Sequence, residues 1–545
     1  MRSLTQSLGL AAALFMSAAV AVNPIEVKGQ DFIDSKTQKR FMMVGVDYQP
    51  GGQGGLTDKR DPLTDKATCL RDAINIQKLG ANTIRVYNVD PKLNHDDCAS
   101  IFNAAGIYMV IDVNGPASGE SINRAEPWTS YHKGYLNRIF GVVENFKNYP
   151  NTLAFFSANE VMNDLKTGKV NPQYIRAVQR DLKNYIKNHA DRKIPVGYSA
   201  ADVREILQDT WAYMQCANGD NSDSDFFGLN SYSWCGGKAT FESAGYNTLV
   251  DMFKATSVPV FFSEYGCNEV SPRVFDEVAA LYSDKMKSFS GGLVYEYTQE
   301  SNDYGLAEIN SDGTVSLLPD YDNLQKQYNK LDMAKLQTAS ASQTSVTAPK
   351  CDAKLITNPA FDSNFTIPAV CPDCDALIKN GIADASKGKI VEVKDTKSPS
   401  ACYGSKGGEV KDLELKIVSN DASNAPNGQV ISNPTTSAPS SSNSTSSNST
   451  APYSVTNGTS PLANTTAPSS NGPPYTNGTG PLTNVTVPQV SSPEATGTTG
   501  SGSGISSNKP AAAPASSPVP EKGAASKLAS SWGLVAGLAF AVLML

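Results

Sequence analysis

The chain of 545 residues carries 46 lysines and arginines against 53 aspartates and glutamates, which gives a formal net charge of −7. This mildly acidic balance and the lack of a basic run exclude the charge pattern of a nucleic-acid-binding protein. The single CxxC pair, Cys371 and Cys374, has no second pair or nearby histidine to complete a zinc set, so we expect neither a metal nor another cofactor.

The N-terminus has the order of a secretory signal peptide. Arg2 is followed by an apolar run over residues 8–20, and residues 19–21 are small, as a signal peptidase requires. The run is too short to span a membrane. We therefore assign residues 1–21 to a signal peptide and start the mature chain near Val22. The nine cysteines of such an exported chain argue for disulfides.

Residues 22–340 alternate short apolar runs with helical stretches. Eight β-prone runs stand at 41–46, 83–87, 108–112, 153–157, 194–198, 226–230, 258–262 and 292–296. Continuous apolar runs suit strands buried on both faces, and eight of them predict an α/β fold of the (β/α)8 TIM barrel type. A doubly wound open sheet is the alternative, but no glycine-rich phosphate turn follows the first run, and nearly every run ends in polar or aromatic residues.

Two of the predicted strands end in a glutamate at the rim where a barrel chain turns outward. Glu160 follows the fourth run and Glu264 the seventh, so both carboxyl groups should face one cleft. Cleavage of a glycosidic bond with retained configuration needs such a pair ~5 Å apart, one protonated and one ionised. A single strand-end glutamate is ordinarily a salt-bridge partner or helix cap, but two at strands four and seven favour catalysis. Because Glu160 must stay protonated beside an ionised Glu264, we expect a mildly acidic pH optimum.

Three polar side chains near these acids suit the same chemistry. Asn159 would donate its amide to the 2-hydroxyl of the sugar, or would instead cap the following helix. Arg85 stands between two apolar residues of the second run, where an inward cation would keep Glu264 ionised; a core ion pair is the alternative. Tyr232 after the sixth run would hydrogen-bond the nucleophile, although core packing explains many tyrosines equally well.

Sugar rings bind to flat apolar faces, and aromatic residues supply such faces at the predicted strand ends. These residues are Tyr48, Tyr87, Trp234, Tyr265, Tyr295 and Tyr297, of which several are expected only to pack. The polar loop of residues 114–122, after Asp112, is long enough to form a wall of the cleft; its alternative is an ordinary connection from strand to helix.

Beyond the barrel, the composition changes twice. Residues 341–424 hold four cysteines and short apolar runs, which predict a small disulfide-linked β appendage. Residues 425–522 are dominated by Ser, Thr, Asn, Pro and Gly and cannot bury a core, so we expect a disordered, glycosylated stalk. The N-glycosylation sequons stand at Asn364, Asn443, Asn448, Asn457, Asn464, Asn477 and Asn484.

The C-terminus has the order of a glycosylphosphatidylinositol (GPI) anchor signal. Small residues from Gly523 to Ser526 precede a polar spacer and a terminal apolar stretch over residues 532–545. A plain membrane helix is the alternative, yet the stretch is shorter than the ~20 residues of a span, and no basic stop follows it. We expect residues 523–545 to be removed, which would leave the protein on the outer leaflet of the plasma membrane, with transfer to the cell wall left open.

Seven motifs of the barrel resemble one known family. They stand at residues 45–52 (GVDYQPGG), 84–87 (IRVY), 111–114 (IDVN), 158–160 (ANE), 195–202 (PVGYSAAD), 262–268 (FSEYGCN) and 291–297 (GGLVYEY). Together they are similar to the fungal β-1,3-glucanosyltransferases of glycoside hydrolase family 72. Because few cysteines remain after the barrel, the chain resembles the branch that lacks a cysteine-rich carbohydrate-binding module.

The resemblance implies an enzyme that cleaves inside a β-1,3-glucan chain, keeps the donor half as a covalent glycosyl-enzyme, and passes it to the non-reducing end of another glucan. Matching motifs make Glu160 the acid/base and Glu264 the nucleophile. Substrate contacts are implied for Tyr87, Asn114, Gly115, Ser118, Glu120, Ser121, Ile122, Asn159, Tyr232 and a tyrosine of the eighth run, Tyr295 or Tyr297, of which we select Tyr297.

On the acceptor side, the resemblance assigns Asp202 to the incoming sugar. The arginine that the family places about five positions later is Leu207 here, so Arg204 is the nearest candidate. The family's disulfides would join Cys69 to Cys98, Cys216 to Cys351 and Cys235 to Cys267, which leaves Cys371, Cys374 and Cys402 for one bond and one free thiol.

Two other functions stay open on the sequence alone. The chain would be a retaining endo-β-glucanase if water rather than a sugar intercepted the glycosyl-enzyme. It would be a catalytically silent wall scaffold or adhesin if the fold persisted without turnover, but the presence of Asn159, Glu160 and Glu264 with their flanks argues against this. We expect a monomer whose partners are donor and acceptor glucan chains.

Overall fold

The computed structural model describes residues 22–431, except 53, 54, 58, 339–345 and 384. The expected signal peptide, most of the expected stalk and the anchor signal lie outside these residues, as do all the sequons except Asn364. None of the helices in the described ranges combines the length and the apolar character that crossing a bilayer requires.

A three-stranded antiparallel sheet covers one end of the barrel. Its strands are β1 (Ile25–Lys28), β2 (Asp31–Asp34) and β3 (Arg40–Phe41), in that order. From β2, the ring of Phe32 contacts the rings of Phe226 and Phe261, each at 5.9 Å between centroids. Because both of these phenylalanines lie near the start of barrel strands, the sheet closes the N-terminal end of the barrel.

Eight parallel strands form a closed barrel, which confirms the predicted fold. They are β4 (Met43–Asp47), β5 (Thr83–Val86), β6 (Tyr108–Asp112), β7 (Thr152–Asn159), β8 (Val196–Ala201), β9 (Phe226–Ser231), β10 (Val260–Tyr265) and β11 (Phe289–Val294). The strands follow one another around the ring in chain order, and β11 pairs with β4 to close it. All their carboxyl ends therefore meet at one rim, where the functional residues of this fold gather.

Two strands differ in extent from the prediction. β8 begins at Val196 rather than at residue 194, because Pro195 has no N–H to give to the ladder. β11 begins at Phe289 rather than at residue 292 and contains Gly291, where an added Cβ would lie 2.0 Å from the carbonyl oxygen of Met43. The close approach of β4 requires a glycine there, and glycine is not typical of a strand.

Helices surround the barrel. They are α1 (Lys66–Leu79), α2 (Asp96–Ala104), α3 (Lys133–Phe146), α4 (Leu165–Gly168), α5 (Pro172–His189), α6 (Leu207–Gln215), α7 (Tyr246–Phe253), α8 (Glu277–Leu281), α9 (Pro319–Tyr328) and α10 (Met333–Thr338). In α1, Asp65 caps the first turn by accepting from Thr68 N at 2.7 Å. Gly80 ends the helix with a φ of 91°, a conformation that glycine adopts without strain.

Phenylalanines fill the lower interior of the barrel. Phe156, Phe226 and Phe261 contact one another, with ring centroids 5.2, 5.7 and 6.0 Å apart. Above them, the guanidinium carbon of Arg85 lies 4.5 Å from the centroid of the Phe156 ring. This cation–π contact holds a buried positive charge just beneath the rim.

The described residues after α10 lie along the barrel wall, in one compact unit with it. The short elements of this region and the hairpin before α9 are β12 (Ala307–Ile309), β13 (Val315–Leu317), α11 (Cys374–Asn380), β14 (Cys402–Tyr403), β15 (Ser423–Asn424) and β16 (Val430–Ile431). β14 pairs with β13, and Asn424 donates to the carbonyl oxygens of Gln77 and Ala81 at 3.0 and 2.8 Å. The expected appendage thus has little β structure, and the described chain continues past its expected end at residue 424.

The structure pairs eight of the nine cysteines. The disulfides are Cys69–Cys98, Cys216–Cys351, Cys235–Cys267 and Cys371–Cys374, of which the first three are those that the resemblance implies. Cys216–Cys351 fastens the C-terminal segment to the end of α6. The pairing that the sequence left open is resolved in favour of Cys371 with Cys374, and Cys402 is a buried free thiol.

Candidate active site

Glu160 and Glu264 lie at the rim, at the carboxyl ends of β7 and β10. β7 ends at Asn159, and Glu160 turns out of the strand with a φ of 48°. Glu264 lies within β10 and is 8% exposed. The charge of Glu160 acts on Glu264, so the fold brings the two predicted acids into one site.

Three donors converge on the carboxyl group of Glu264. Its Oε1 accepts from Arg85 Nη1 at 3.1 Å and from Tyr87 Oη at 3.0 Å. Its Oε2 accepts from Tyr232 Oη at 2.7 Å. Hydrogen bonds of this kind stabilise the ionised form of a carboxyl group. The structure therefore contains the interactions expected of Arg85 and Tyr232, and Tyr87 adds one that the sequence did not predict.

Arg85 is fully buried and uses all five of its N–H groups, the complete inventory of a guanidinium. Nε and Nη2 donate to the two oxygens of Asp112 at 2.9 and 3.2 Å. Nη2 also donates to Asn159 Oδ1 at 3.0 Å, and Nη1 donates to Glu264 Oε1 and to the carbonyl oxygen of Ser263. One positive charge thus serves two carboxylates, Asp112 and Glu264.

Glu160 is held by fewer donors than Glu264. Asn230 Nδ2 donates to Glu160 Oε1 at 2.9 Å and to Asn159 Oδ1 at 3.1 Å. The backbone N–H of Glu160 donates to the carbonyl oxygen of Ser199 at 2.8 Å, which fixes the turn out of β7. Since Asn159 Oδ1 accepts from Asn230 and Arg85, the Asn159 N–H₂ points away from these donors and has no acceptor within the described part of the chain.

Burial raises the pKa of both Glu160 and Glu264 above the usual value for a glutamate. For Glu264, the largest effect that opposes this rise in pKa is the charge of Arg85, followed by two tyrosine hydroxyls. For Glu160, the opposing effects are the Asn230 amide and the charges of Arg85 and Arg124. Because an ionised carboxylate accepts from every donor around it, we assign the negative charge of the pair to Glu264 and the proton to Glu160.

Four tyrosine rings form an aromatic wall beside Glu264. Tyr295 lies edge-on to Tyr87 and to Tyr232, each at 6.3 Å between centroids, and Tyr304 contacts Tyr295 and Tyr232 at 5.3 and 5.5 Å. Such rings suit the C–H faces of sugars. The sequence predicted three of these tyrosines and missed Tyr304, which follows β11, the last strand of the barrel.

The selection of Tyr297 as a substrate residue is wrong. Tyr297 is fully buried, its hydroxyl donates to Asp72 Oδ1 at 3.2 Å, and Asn75 donates to it at 3.3 Å, so it faces α1. Tyr295 lies in the cleft instead. β11 ends at Val294, and the alternation of side chains along a strand no longer applies beyond that residue.

Three other strand-end aromatics pack rather than face the cleft. Tyr48 donates to Asp72 Oδ2 at 3.0 Å, and the Tyr265 hydroxyl lies 3.2 Å from that of Tyr328. Trp234 Nε1 donates to Asp276 Oδ1 at 3.0 Å. These outcomes agree with the expectation that several of the aromatics serve only the core.

The loop of residues 114–122 is braced by the barrel. Asn114 donates to the carbonyl oxygen of Ser157 at 2.8 Å and accepts from Tyr135 Oη at 2.7 Å. Gly115 N donates to Glu120 O at 3.1 Å, and the Glu120 carboxylate forms an ion pair with Arg138 at 3.2 Å. Gly115 and Ile122 are buried, whereas Ser118 is exposed and Ser121 half-buried, so the two serines are the loop's hydroxyls open to a ligand.

On the other side of Glu160, Asp202 lies at the end of β8. Its backbone N–H donates to Asn230 O at 3.2 Å, and its Oδ2 accepts from Arg204 Nη2 at 2.9 Å and from Ser231 Oγ at 2.7 Å. Arg204 is partly exposed, whereas Leu207 is fully buried in α6. Arg204 therefore supplies a cation to Asp202 from a position three residues before the one that the family pattern predicts.

Three residues of the site were not identified as functional from the sequence. Asp112 fixes Arg85, Asn230 joins Asn159 to Glu160, and Asp47 is fully buried beside Arg85 and Glu264. Each is a polar residue at or next to the end of an apolar run, which is the signal that would have found them.

One group of three possible metal ligands occurs within the described residues. It consists of Cys235, Cys267 and Glu269. The two cysteines form a disulfide, so neither offers a thiolate to a metal.

A parallel barrel with one carboxyl group after its fourth strand and a multiply hydrogen-bonded carboxyl group on its seventh is the arrangement of a carbohydrate-active enzyme with a catalytic carboxyl pair. The chain belongs to the glucanosyltransferases of glycoside hydrolase family 72, whose family model matches residues 14–332.

Relatives and solved structures agree with this assignment. The chain is 56% identical to the 1,3-beta-glucanosyltransferase gel2 of Aspergillus fumigatus over 411 residues. This match covers 75% of this chain and 86% of that relative. It is 45% identical over 412 residues to the probable 1,3-beta-glucanosyltransferase GAS3 of Saccharomyces cerevisiae, covering 71% and 78%. Among solved structures, a mutant of Saccharomyces cerevisiae Gas2p in complex with laminaritetraose and laminaripentaose matches with a TM-score of 0.57 at 36% identity, covering 64% of this chain and 75% of that one.

Proposed function

We propose that this chain is a 1,3-β-glucanosyltransferase that cleaves a β-1,3-glucan internally and joins the new end to a second glucan, so that it remodels the fungal cell wall. The observation that carries the proposal is the unequal support of the two acids: Glu264 accepts from three donors and Glu160 from one side-chain amide. This asymmetry suits a nucleophile that must stay ionised and an acid that must stay protonated.

In the first step, the Glu264 carboxylate attacks the anomeric carbon of the donor sugar. The glycosidic C–O bond breaks, and Glu160 gives its proton to the departing oxygen, so that the leaving glucan carries a new hydroxyl. Asn159 donates to the 2-hydroxyl of the reacting sugar, a contact that strengthens in the transition state. Arg85 stays paired with Asp112 when Glu264 loses its charge to the ester bond.

In the second step, Glu160 acts as a base. It takes the proton of the acceptor's 3-hydroxyl while that oxygen attacks the anomeric carbon, and the ester bond to Glu264 breaks. The product is a longer glucan, and both glutamates return to their starting states. Water in place of the acceptor would complete a hydrolysis, so the outcome depends on how well the acceptor side of the cleft binds sugar.

Asp202 and Arg204 are the acceptor-side residues that we propose. They lie beyond Glu160, next to Asn230, and Arg204 is partly exposed. The names of the relatives and the laminari-oligosaccharides in the Gas2p complex support β-1,3-glucan as donor and acceptor. The pair would bind hydroxyls of the incoming chain by accepting at Asp202 and donating at Arg204.

We further propose that the protein is secreted as a monomer and held on the outer leaflet of the plasma membrane by a GPI anchor attached between Gly523 and Ser526. The apolar stretches and small residues at the two ends of the sequence support this location. Release of the protein from intact cells by a phosphatidylinositol-specific phospholipase tests it; retention of the protein after that treatment contradicts the anchor.

The decisive experiment incubates the protein with a laminari-oligosaccharide whose reducing end has been reduced. Transfer predicts products longer than the starting material, detected by mass spectrometry, whereas a pure hydrolase produces only shorter ones. Glu160→Gln and Glu264→Gln should each abolish turnover of this substrate. A donor with a good leaving group needs no protonation and should still glycosylate Glu160→Gln but not Glu264→Gln, which separates the two roles. Undiminished function in cells for both variants would instead support a scaffold.

A further inference from the structure

Asp47, the last residue of β4, is a third carboxyl group buried beneath the cleft. It is fully buried, and within the described part of the chain neither of its oxygens has a hydrogen-bond partner of normal geometry. The titratable and charged groups that act on it are Arg85, Tyr87, Tyr232, Glu264, Tyr295, Glu296 and Tyr328. A carboxylate in such a position would need donors.

The nearby cation cannot supply those donors. Arg85 stands opposite Asp47 in the strand pairing of β4 with β5, but all five of its N–H groups are used by other acceptors. Its charge is already shared by Asp112 and Glu264. A third negative charge at Asp47 would therefore be both unpaired and without a donor, in a region closed to water.

Tyr87 is the remaining hydrogen-bonding group within reach of Asp47 among these residues. Its hydroxyl has one proton, and that proton is directed at Glu264 Oε1, 3.0 Å away. The lone pairs of Tyr87 Oη are free to accept a hydrogen bond. A protonated Asp47 has a proton to offer to this oxygen, whereas an ionised Asp47 would compete with Glu264 for the single tyrosine proton.

We propose that Asp47 is a neutral carboxylic acid that donates to Tyr87 Oη, and that it thereby keeps the Tyr87 hydroxyl directed at Glu264. Asp47 is then a positioning residue: it touches no substrate and acts through Tyr87. Burial raises the pKa of Asp47 most, the charges of Glu264 and Glu296 raise it further, and the charge of Arg85 and the nearby Tyr87 hydroxyl oppose the rise. The role rests on the proposed function, in which Glu264 is the nucleophile; the protonation state does not.

The protonation state is tested by thermal unfolding, which needs no catalytic activity. If folded Asp47 is neutral, the folded state binds a proton that the unfolded chain releases, so wild-type stability falls as pH rises above about 4, the unfolded value of an aspartate. Asp47→Asn cannot titrate. Its melting temperature should therefore equal or exceed that of the wild type at pH 5 and gain on it up to pH 8. A variant that is less stable than the wild type by a constant margin over this range would overturn the proposal, because that result marks the loss of an ionised, paired carboxylate.

The positioning role is tested by kinetics on the oligosaccharide substrate. Asp47→Ala removes the donor and should lower kcat roughly 3–10-fold, the worth of one hydrogen bond. Asp47→Asn retains an N–H for Tyr87 Oη and should recover most of that loss. In a Tyr87→Phe background, which has no hydroxyl to orient, Asp47→Ala should have little further effect.

Two outcomes would overturn the role while leaving the proposed function intact. One is an Asp47→Asn variant that is as slow as Asp47→Ala, and the other is an undiminished Asp47→Ala effect in the Tyr87→Phe background. If the wild type itself fails to transfer or cleave, the unfolding experiment still decides the protonation state of Asp47.

Discussion

Asn230 donates from one side-chain nitrogen to two successive residues: its Nδ2 lies 2.9 Å from the carboxyl oxygen Oε1 of Glu160 and 3.1 Å from the amide oxygen Oδ1 of Asn159. The carbonyl oxygen of the same amide accepts from Ser199 and Ser263, so its orientation is set by the barrel interior. A residue of β9 thus orients the two functional residues at the end of β7.

Removal of this amide should shift the basic side of the pH profile. The Asn230 hydrogen bond lowers the pKa of Glu160 against the larger effect of burial. Asn230→Ala should therefore raise the pKa of Glu160 further. Because the proposed mechanism needs Glu160 protonated, activity should persist to higher pH in the kcat/KM profile, although kcat falls. Asn268→Ala, which removes a rim amide that bonds to Asn302 and Asp303, is the matched control and should move neither limb.

The acidic side of the profile depends on Tyr232. Its hydroxyl donates to Glu264 Oε2 at 2.7 Å and lowers the pKa of this proposed nucleophile. Tyr232→Phe should raise that pKa, so that activity is lost at a higher pH as the solution is acidified. Tyr282→Phe removes a buried tyrosine hydroxyl that donates to Met43 O at the opposite end of the barrel. An acidic limb that moves as far in the Tyr282→Phe control would contradict this prediction.

Glu277 should make stability depend on pH without any effect on catalysis. It is 3% exposed at the start of α8, and burial raises its pKa to about 8. A raised pKa means that folded Glu277 keeps its proton while the unfolded chain loses it, so stability falls as pH rises from about 4.5 to 8. Glu277→Gln should remove that slope and stabilise the protein by about 1 kcal/mol or more at pH 8. Melting temperatures measured across this pH range test the predicted slope. Glu242→Gln, at an exposed residue, is the control.

Asn424 should contribute to the stability of the whole barrel, although it is far along the chain. It is 3% exposed, and its amide donates to the carbonyl oxygens of Gln77 and Ala81. Asn424→Ala removes both hydrogen bonds, although Gln77 O keeps the one from Gly80 N, and should lower the free energy of unfolding by roughly 1–3 kcal/mol in a denaturant titration. Asn218→Ala, on the exposed surface, should change it by less than about 0.5 kcal/mol. Equal stabilities of the two variants would show that the C-terminal segment does not support the barrel.

The barrel was predictable because each strand is a continuous apolar run, which records burial on both faces. The first residues of β8 and β11 were less predictable, because backbone chemistry rather than apolar character sets them. Pro195 precedes β8, and Gly291 lies inside β11. Glu160 and Glu264 were found for the same reason as the strands, since a charged residue that ends an apolar run is conspicuous.

Other parts of the site depend on contacts that no local pattern contains. Tyr295 and Tyr297 are two residues apart, and only the path of the chain after β11 decides that the first faces the cleft and the second faces Asp72. Asp47 belongs to one of the sequence motifs, but its proposed role depends on Arg85 having no N–H group left to donate. That fact requires all five hydrogen-bond acceptors of Arg85, which only the structure gives.

The C-terminal segment ends at one particular end of the barrel. Val418 and Asn424 donate to the backbone carbonyls of Ala104 and Gly106, just before β6, and β16 pairs with β15 there. The described chain therefore leaves the barrel at the pole opposite the rim that holds Glu160 and Glu264. The last described residues therefore do not border the rim at which we propose that glucan binds.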